Sequence, residues 1–393
     1  MIPEHYKEML GRKSVIRQIS EYGAQRAAVV GAENVFDYSL GNPSVPAPQA
    51  FTDEMIRLLQ TAEPVALHGY SPSLGITSVR QAVAASLARR FGLPYEARHI
   101  LMTSGAAGAI AHALRAVCEP GDEVVTFAPC FPEYGPYVEG AGLTLRYAAC
   151  LESLQPDVAS LEALLNEKTA AVLINTPNNP TGAVYTARSL NGIAEALRKK
   201  SAELGRVIYL ISDEPYREIV FDGADAPYVA GCYEHTLTCY SFSKSLSLPG
   251  ERIGYLAVRP GCAGEELLVD VCGQISRGTG HNCPPSIIQL AVAKVLEETA
   301  DLGVYQTNME LLYRELTDLG FDCARPGGTF YIFPKALEAD AVAFCERAKQ
   351  YDLLLVPSDS FGCKGYFRMA YCIDTEKVRR SLPALRALAK SYR

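Results

Sequence analysis

No stretch of this chain is apolar for anything like the ~20 residues that a helix needs to cross a bilayer. Its first fourteen residues, MIPEHYKEMLGRKS, are charged and hold no signal-peptide core. Basic blocks are missing too: with a net charge of −7 and no cluster of Lys and Arg, nothing points to nucleic acid or to an anionic membrane. There are twelve cysteines but no C-x-x-C pair, and most lie in apolar stretches such as LTCYSF and MAYCID. They read as small buried hydrophobes of a reducing cytoplasm rather than as a disulfide framework. The six histidines are dispersed without the spacing of a zinc site, so no metal is expected. Internal repeats and low-complexity linkers are absent as well.

What is present is an ordinary globular composition, 48% apolar and 21% charged over 393 residues, enough for more than one lobe. From about residue 98 the sequence alternates short β-type runs with helical patterns. HILMTS, DEVVTFA, AAVLINT, VIYLISD, LTCYSFS and RIGYLAV are the strand candidates. Helical segments such as AAGAIAHALRAVCEPGD and LNGIAEALRKKSAELG, the latter with a capping-type Ser189 ahead of it, lie between the earlier ones. This rhythm predicts an α/β fold, a mainly parallel sheet with helices on both faces. The last two strands are joined too tightly for a crossover helix, so one of them is expected to run antiparallel. Residues 286 to about 319 form a long amphipathic run that predicts a connecting helix. From FDCARPGGTFYIFPK onward the pattern predicts a smaller α/β lobe. The expected division is a large domain over residues 45–290 and a small domain from residues 1–44 and 291–393.

In an open parallel sheet, ligands bind beyond the carboxyl ends of the strands. HILMTS ends at Ser104 and Gly105, a small-residue turn running into a helix. Free N–H groups and the helix dipole there make an anion site, unless Ser104 is a simple N-cap. Arg252, Ser241 and Ser243 can add charge-assisted bonds to the same anion. VIYLISD ends in Asp213, a carboxylate that is costly to bury without a cation. LTCYSFS runs to Lys244, which desolvation can turn into a nucleophile, or which can form a structural ion pair with Asp213. A phosphate cradle, a nucleophilic amine and a carboxylate able to hold a ring N–H are the set that pyridoxal phosphate needs.

The run Ser241, Phe242, Ser243, Lys244, followed by Leu248, Gly250, Arg252 and Gly254, resembles the lysine signature of the class I/II aminotransferases. These form the aspartate aminotransferase superfamily of fold type I pyridoxal-phosphate enzymes. NNPTG (Asn178 to Gly182) and DEPY (Asp213 to Tyr216) fall upstream in the family's order. The resemblance covers essentially the whole chain. It implies a seven-stranded sheet in the large domain, pyridoxal 5'-phosphate as cofactor, and a homodimer with shared active sites. Lys244 is then the residue that forms the Schiff base and later moves the substrate proton. Asp213 is expected to bind the ring nitrogen, and Tyr216 and Asn179 the ring's phenolic oxygen, with Phe131 stacked on the ring. Ser104, Ser241, Ser243 and Arg252 are expected around the phosphate, with N–H groups of Gly105, Ala106 and Ala107. Tyr70 would reach the phosphate of the neighbouring subunit.

On the substrate side, the resemblance places Gly41 and Asn179 at the α-carboxylate and makes Arg368 its clamp. Arg277, close to an NCPP turn but one position off the family's spacing, would reach in from the partner subunit to the side chain of an aspartate or glutamate donor, with His281 as a competitor for that wall; without Arg277, Phe131, Tyr331 and His281 would point to a neutral or aromatic donor. One departure is visible: Ala106 and Ala107 stand where the family often carries Ser or Thr. The cradle then relies more on backbone groups, Ser104 and Arg252. The implied reaction is ping-pong transfer of an amino group from an amino acid to a 2-oxo acid. A β-lyase or decarboxylase on the same fold is the rival enzyme, although Tyr216 after DEP favours transfer. A non-catalytic regulator that binds the cofactor is the rival of another class. It would be expected to add a basic DNA-binding segment, which is not evident here.

Overall fold

A computed structural model describes residues 14–221 and 223–393, together with Ile2, Lys7 and Leu10; most of the charged N-terminal stretch lies outside the described residues. Among the described residues twelve strands follow in chain order: β1 (Phe36–Asp37), β2 (Ile100–Thr103), β3 (Glu123–Ala128), β4 (Thr144–Ala149), β5 (Thr169–Asn175), β6 (Tyr209–Asp213), β7 (Thr236–Ser241), β8 (Gly254–Val258), β9 (Tyr331–Ile332), β10 (Leu353–Leu354), β11 (Val356–Pro357) and β12 (Phe367–Ala370). Seven of them build one sheet in the order β2-β8-β7-β6-β5-β3-β4. Neighbours from β4 to β7 are parallel, and β8 runs antiparallel to both β7 and β2. The tight β7–β8 connection allows no other direction. Every residue of β5, β7 and β8 is buried, as expected of near-continuous apolar strands covered on both faces. Separate apolar clusters lie on those faces. One gathers Ile110, Leu114 and Val138; the other gathers Leu161, Ile193 and Leu197.

Two expected details differ. The helix Ala187–Leu204 is capped by Thr186, whose hydroxyl accepts from the Ser189 N–H at 3.2 Å. Ser189 therefore lies inside the first turn, and Gly205 closes the helix in the left-handed region at φ 64°. The run from residue 286 is two helices, Ser286–Val292 and Gly303–Asp318. Between them the Ala300 N–H donates to the Ser245 carbonyl at 2.8 Å, and Asp301 accepts from the Gly303 N–H at 3.2 Å. Those bonds tie the chain to the Lys244 segment and restart the helix, where amphipathicity alone would have continued it.

The second lobe has a three-stranded antiparallel sheet, β11-β12-β9, and a parallel pair in which β1 joins β10. Its core packs Met309, Leu312, Phe344 and Leu385 beneath Phe330 and Tyr331. Among the described residues no helix is long and apolar enough to cross a membrane.

Gly254 opens β8 and pairs with Thr103 on one side and Ser241 on the other. A Cβ there would stand 2.2 Å from the Tyr240 carbonyl oxygen and 2.9 Å from the Gly105 Cα. Both obstacles are backbone, so no side chain can swing aside. Gly254→Ala is expected to destabilise the fold by on the order of 2–3 kcal/mol, read as a lower urea midpoint. Gly250→Ala, which meets nothing within 4 Å, should unfold close to the wild-type midpoint.

Candidate active site

Strand register brings the chemistry to one edge. Asn175 at the end of β5 pairs with Asp213 at the end of β6, and Asp213 pairs with Cys239, two residues short of Ser241 at the end of β7. A cavity of about 340 Å3 opens beyond this edge, and residues of both lobes line it.

Asp213 is 5% exposed. Its Oδ2 accepts a hydrogen bond from the Tyr134 hydroxyl at 2.6 Å, while Oδ1 is buried and has no partner among the described residues. Burial pushes the carboxyl up to about 7, against the pull of the Tyr134 bond and with a further push from Glu214. Asn175 Nδ2 donates to the Asp213 carbonyl at 2.8 Å and fixes the strand end.

Lys244 lies in the short helix Phe242–Ser245, capped by Ser241. Its Nζ donates to the Gly41 carbonyl at 2.6 Å and lies 5.5 Å from the Phe330 ring centroid. No ion pair joins it to Asp213 among the described residues, so the structural-pair alternative is not what forms. Burial pulls the amine down to about 8; Cys372 opposes this, and Arg252 and Arg368 add to it. Gly41 has a steric reason to be glycine: a Cβ would stand 1.9 Å from the Tyr331 hydroxyl oxygen. That hydroxyl meets Tyr216 Oη at 3.2 Å, and burial raises the Tyr216 hydroxyl well above its ordinary value.

Ser104 takes the N-cap position of the helix Gly105–Val117 but makes no side-chain cap bond. The first N–H groups of a helix have no partner within it, and here Ala106 and Ala107 line the cavity. Gly105 adopts φ 72°, and a Cβ on it would meet Arg252 Nη2 at 3.1 Å and Ser241 Oγ at 3.3 Å. Ser241 Oγ lies 2.8 Å from Ser243 Oγ. Arg252 is held in the left-handed region, φ 51° and ψ 50°, a strained setting for a side chain with a Cβ. Its Nη1 donates to the Pro249 carbonyl at 2.9 Å. These groups could hold a phosphate.

Arg368, on β12, is 1% exposed. Nη1 donates to Asn179 Oδ1 at 3.0 Å, Nη2 donates to the Ser39 carbonyl, and Nε has no partner. Tyr331 and Phe361 flank the guanidinium, with ring centroids at 4.5 and 5.0 Å. Phe131 lines the cavity and meets Tyr134 edge-on at 5.6 Å.

Three expected residues lie elsewhere on the chain. Tyr70 is fully exposed. Arg277 is exposed on the last turn of the helix Glu265–Gly278, where Gln274 accepts from its Nε at 3.2 Å, and it does not line the cavity. His281 is exposed and meets His112 edge-on at 6.3 Å. Tyr134, Tyr137 and Arg17 belong to the site and escaped the sequence reading. Tyr134 was detectable, three residues after Phe131 on a helical start; Arg17 carried no local signal.

A desolvated lysine, a buried acid and an anion cradle on the carboxyl edge of such a sheet define a fold type I transferase site. The chain belongs to the aminotransferase class I and II family, which matches residues 33–385. It is 30% identical to the aspartate aminotransferase of Thermotoga maritima over 91% of this chain and 92% of that one. It is 29% identical to the aromatic-amino-acid aminotransferase 2 of Thermococcus litoralis over 92% and 93%. Among solved structures, an amino transferase from Eubacterium rectale superposes with a TM-score of 0.97 at 44% identity, covering 100% of this chain and 99% of that one. The protein is an aminotransferase, which moves an amino group from an amino acid to a 2-oxo acid. The lyase, decarboxylase and regulator alternatives find no support in these relatives.

The raised Asp213 carboxyl makes a signed prediction for the ligand-free protein. The folded state holds a proton that the unfolded chain releases above about pH 4, so stability falls as pH rises toward 7. Asp213→Asn should therefore unfold at higher urea than wild type at pH 8, by on the order of 2–4 kcal/mol, and the difference should vanish near pH 3. An Asp213→Asn protein no more stable than wild type at pH 8 would contradict the buried charge.

Proposed function

We propose that this aminotransferase uses pyridoxal 5'-phosphate, attached at Lys244, and that the unpartnered oxygen of Asp213 receives the ring N–H. The observation that carries this reading is that orphaned, fully buried oxygen in the same cavity as a desolvated lysine. The rest of the lining fits the same group. Arg252, Ser241, Ser243 and the N–H groups of Ala106 and Ala107 would hold its phosphate, and Tyr216 and Asn179 its phenolic oxygen. Gly105 leaves room for the phosphate that a Cβ would fill.

When bound, the cofactor supplies a carbonyl with which amines condense and a cationic ring that takes up the electron pair of the broken Cα–H bond. The chain's own groups do the rest. Arg368 grips the substrate α-carboxylate through its free Nε, and Asn179 keeps the guanidinium oriented. Lys244 Nζ, neutral at a lower pH than a surface lysine, takes the proton from the substrate Cα. Tyr331 lines the cavity, and the Phe330 ring lies 5.5 Å from Lys244 Nζ.

Aspartate or glutamate is the proposed donor, in keeping with the aspartate aminotransferases among the relatives. A homodimer with shared sites is proposed from Tyr70. A fully exposed aromatic is unusual on a loop pinned by the Ser71 contact to Cys283 at 2.8 Å, with Val65 and Leu59 exposed nearby. The twelve cysteines are all free, which supports a cytoplasmic setting.

Borohydride reduction of the purified holoenzyme should fix the cofactor to Lys244, located by peptide mapping; label on another lysine, or none, ends this reading. Lys244→Ala should still bind cofactor but lose turnover by at least about 1,000-fold, because nucleophile and base go together. Mixing Tyr70→Ala and Lys244→Ala chains should restore activity through heterodimers with one intact site. Subunits that exchange without regaining activity would rule out the shared site.

A further inference from the structure

Six charged side chains line the cavity: Arg17, Glu133, Asp213, Lys244, Arg252 and Arg368. The proposed function uses four of them. Glu133, an acid, would repel a substrate carboxylate. Arg17 remains.

Arg17 is the third residue of the helix Val15–Val30. It is exposed and has no hydrogen-bond or ion-pair partner among the described residues. A cation in the first turn of a helix opposes the helix dipole, and no acidic residue in that turn offsets it. Helix stability therefore does not explain it. Packing of its neighbours explains where it is held. Ile16 and Ile19 pack into a cluster with Phe361, and the Phe361 ring centroid lies 5.0 Å from the Arg368 guanidinium. The helix start is thus anchored against the ring that flanks Arg368. A free cation and a helix N-terminus face the same space.

We infer that Arg17 determines substrate choice by pairing with the side-chain carboxylate of an acidic amino acid or 2-oxo acid while Arg368 holds the α-carboxylate. The inference rests on the proposed reading of the site. It assigns to a residue of the same subunit the task that the sequence suggested for Arg277. Both half-reactions use one site, so donor and acceptor are read alike. No bond is made or broken by Arg17.

The test uses the holoenzyme with Arg17→Met, Arg17→Lys and Arg277→Ala. Arg17→Met should lower the ratio of kcat/KM for glutamate over alanine by about 10- to 100-fold. It should weaken maleate, followed by the absorbance of the bound cofactor, by a similar factor. Arg17→Lys should recover part of both, because charge is kept and the fork is lost. As Arg17 is exposed and unpartnered, thermal melts should match wild type. An unchanged ratio in Arg17→Met, a loss shared equally by both donors, or a ratio that falls only in Arg277→Ala overturns the inference. If the wild-type enzyme moves no amino group from any donor, the reading of the site fails with it. If it does, and only the ratio stays fixed, Arg17 alone is at fault.

Discussion

Asp213 and Glu214 are neighbours at the end of β6, and both are buried, yet the fold treats them differently. Glu214 is fully engaged: the Ser212 hydroxyl donates to it at 2.7 Å and Arg217 Nε at 2.7 Å. Arg217 in turn lies among the rings of Phe91, Tyr228 and Tyr240, at 5.3, 5.2 and 4.6 Å. That is how a buried acid is made tolerable. Asp213 has one bond and one bare oxygen. Leaving a buried acceptor unmet is destabilising, and proteins keep such groups where a ligand completes them. The strands on either side hold this acid at the mouth of the cavity rather than inside the sheet, through the register with Asn175 and Cys239.

The cations follow from that acid and from the sheet edge. Arg252 precedes β8 of the seven-stranded sheet and Arg368 lies on β12 of the three-stranded one, and both lower the Lys244 amine. Field and desolvation act in the same direction, so the lysine is readied without a dedicated base. The same positive field suits an anionic cofactor and carboxylate substrates. Arg252 is held toward Gly105 by a left-handed backbone that an ordinary loop would avoid. The strain is kept where it aims a side chain at the cradle.

Much of this was legible from the sequence because each feature had a local cause. The central strands are apolar runs, and the antiparallel β8 followed from a connection too short to cross over. Lys244, Asp213, Asn179, Arg252, Arg368 and Gly41, the residues singled out by the resemblance, all line one cavity. β4 was not read from pattern, because at the sheet edge most of its residues are exposed and it carries no apolar run. The break near residue 300 was invisible for another reason. It depends on a bond to the Ser245 carbonyl 55 positions back (300 − 245 = 55), while the local sequence stays amphipathic. Tyr134 and Arg17 reach the site through tertiary placement. Tyr70 and Arg277 are exposed and do not line the cavity.

The position of Arg368 has a consequence for how the two lobes act together. Its guanidinium bonds Asn179 from the loop after β5 and Ser39 from the N-terminal segment, while the residue itself belongs to β12. Three stretches distant in sequence thus meet on one side chain. With Nε still unmet and burial lowering its ordinary value, the guanidinium is incompletely satisfied until an anion arrives. A carboxylate bound there would strengthen a junction that spans both lobes. An acid group reaching Arg17 would add a second tie, from the first helix to the same ligand.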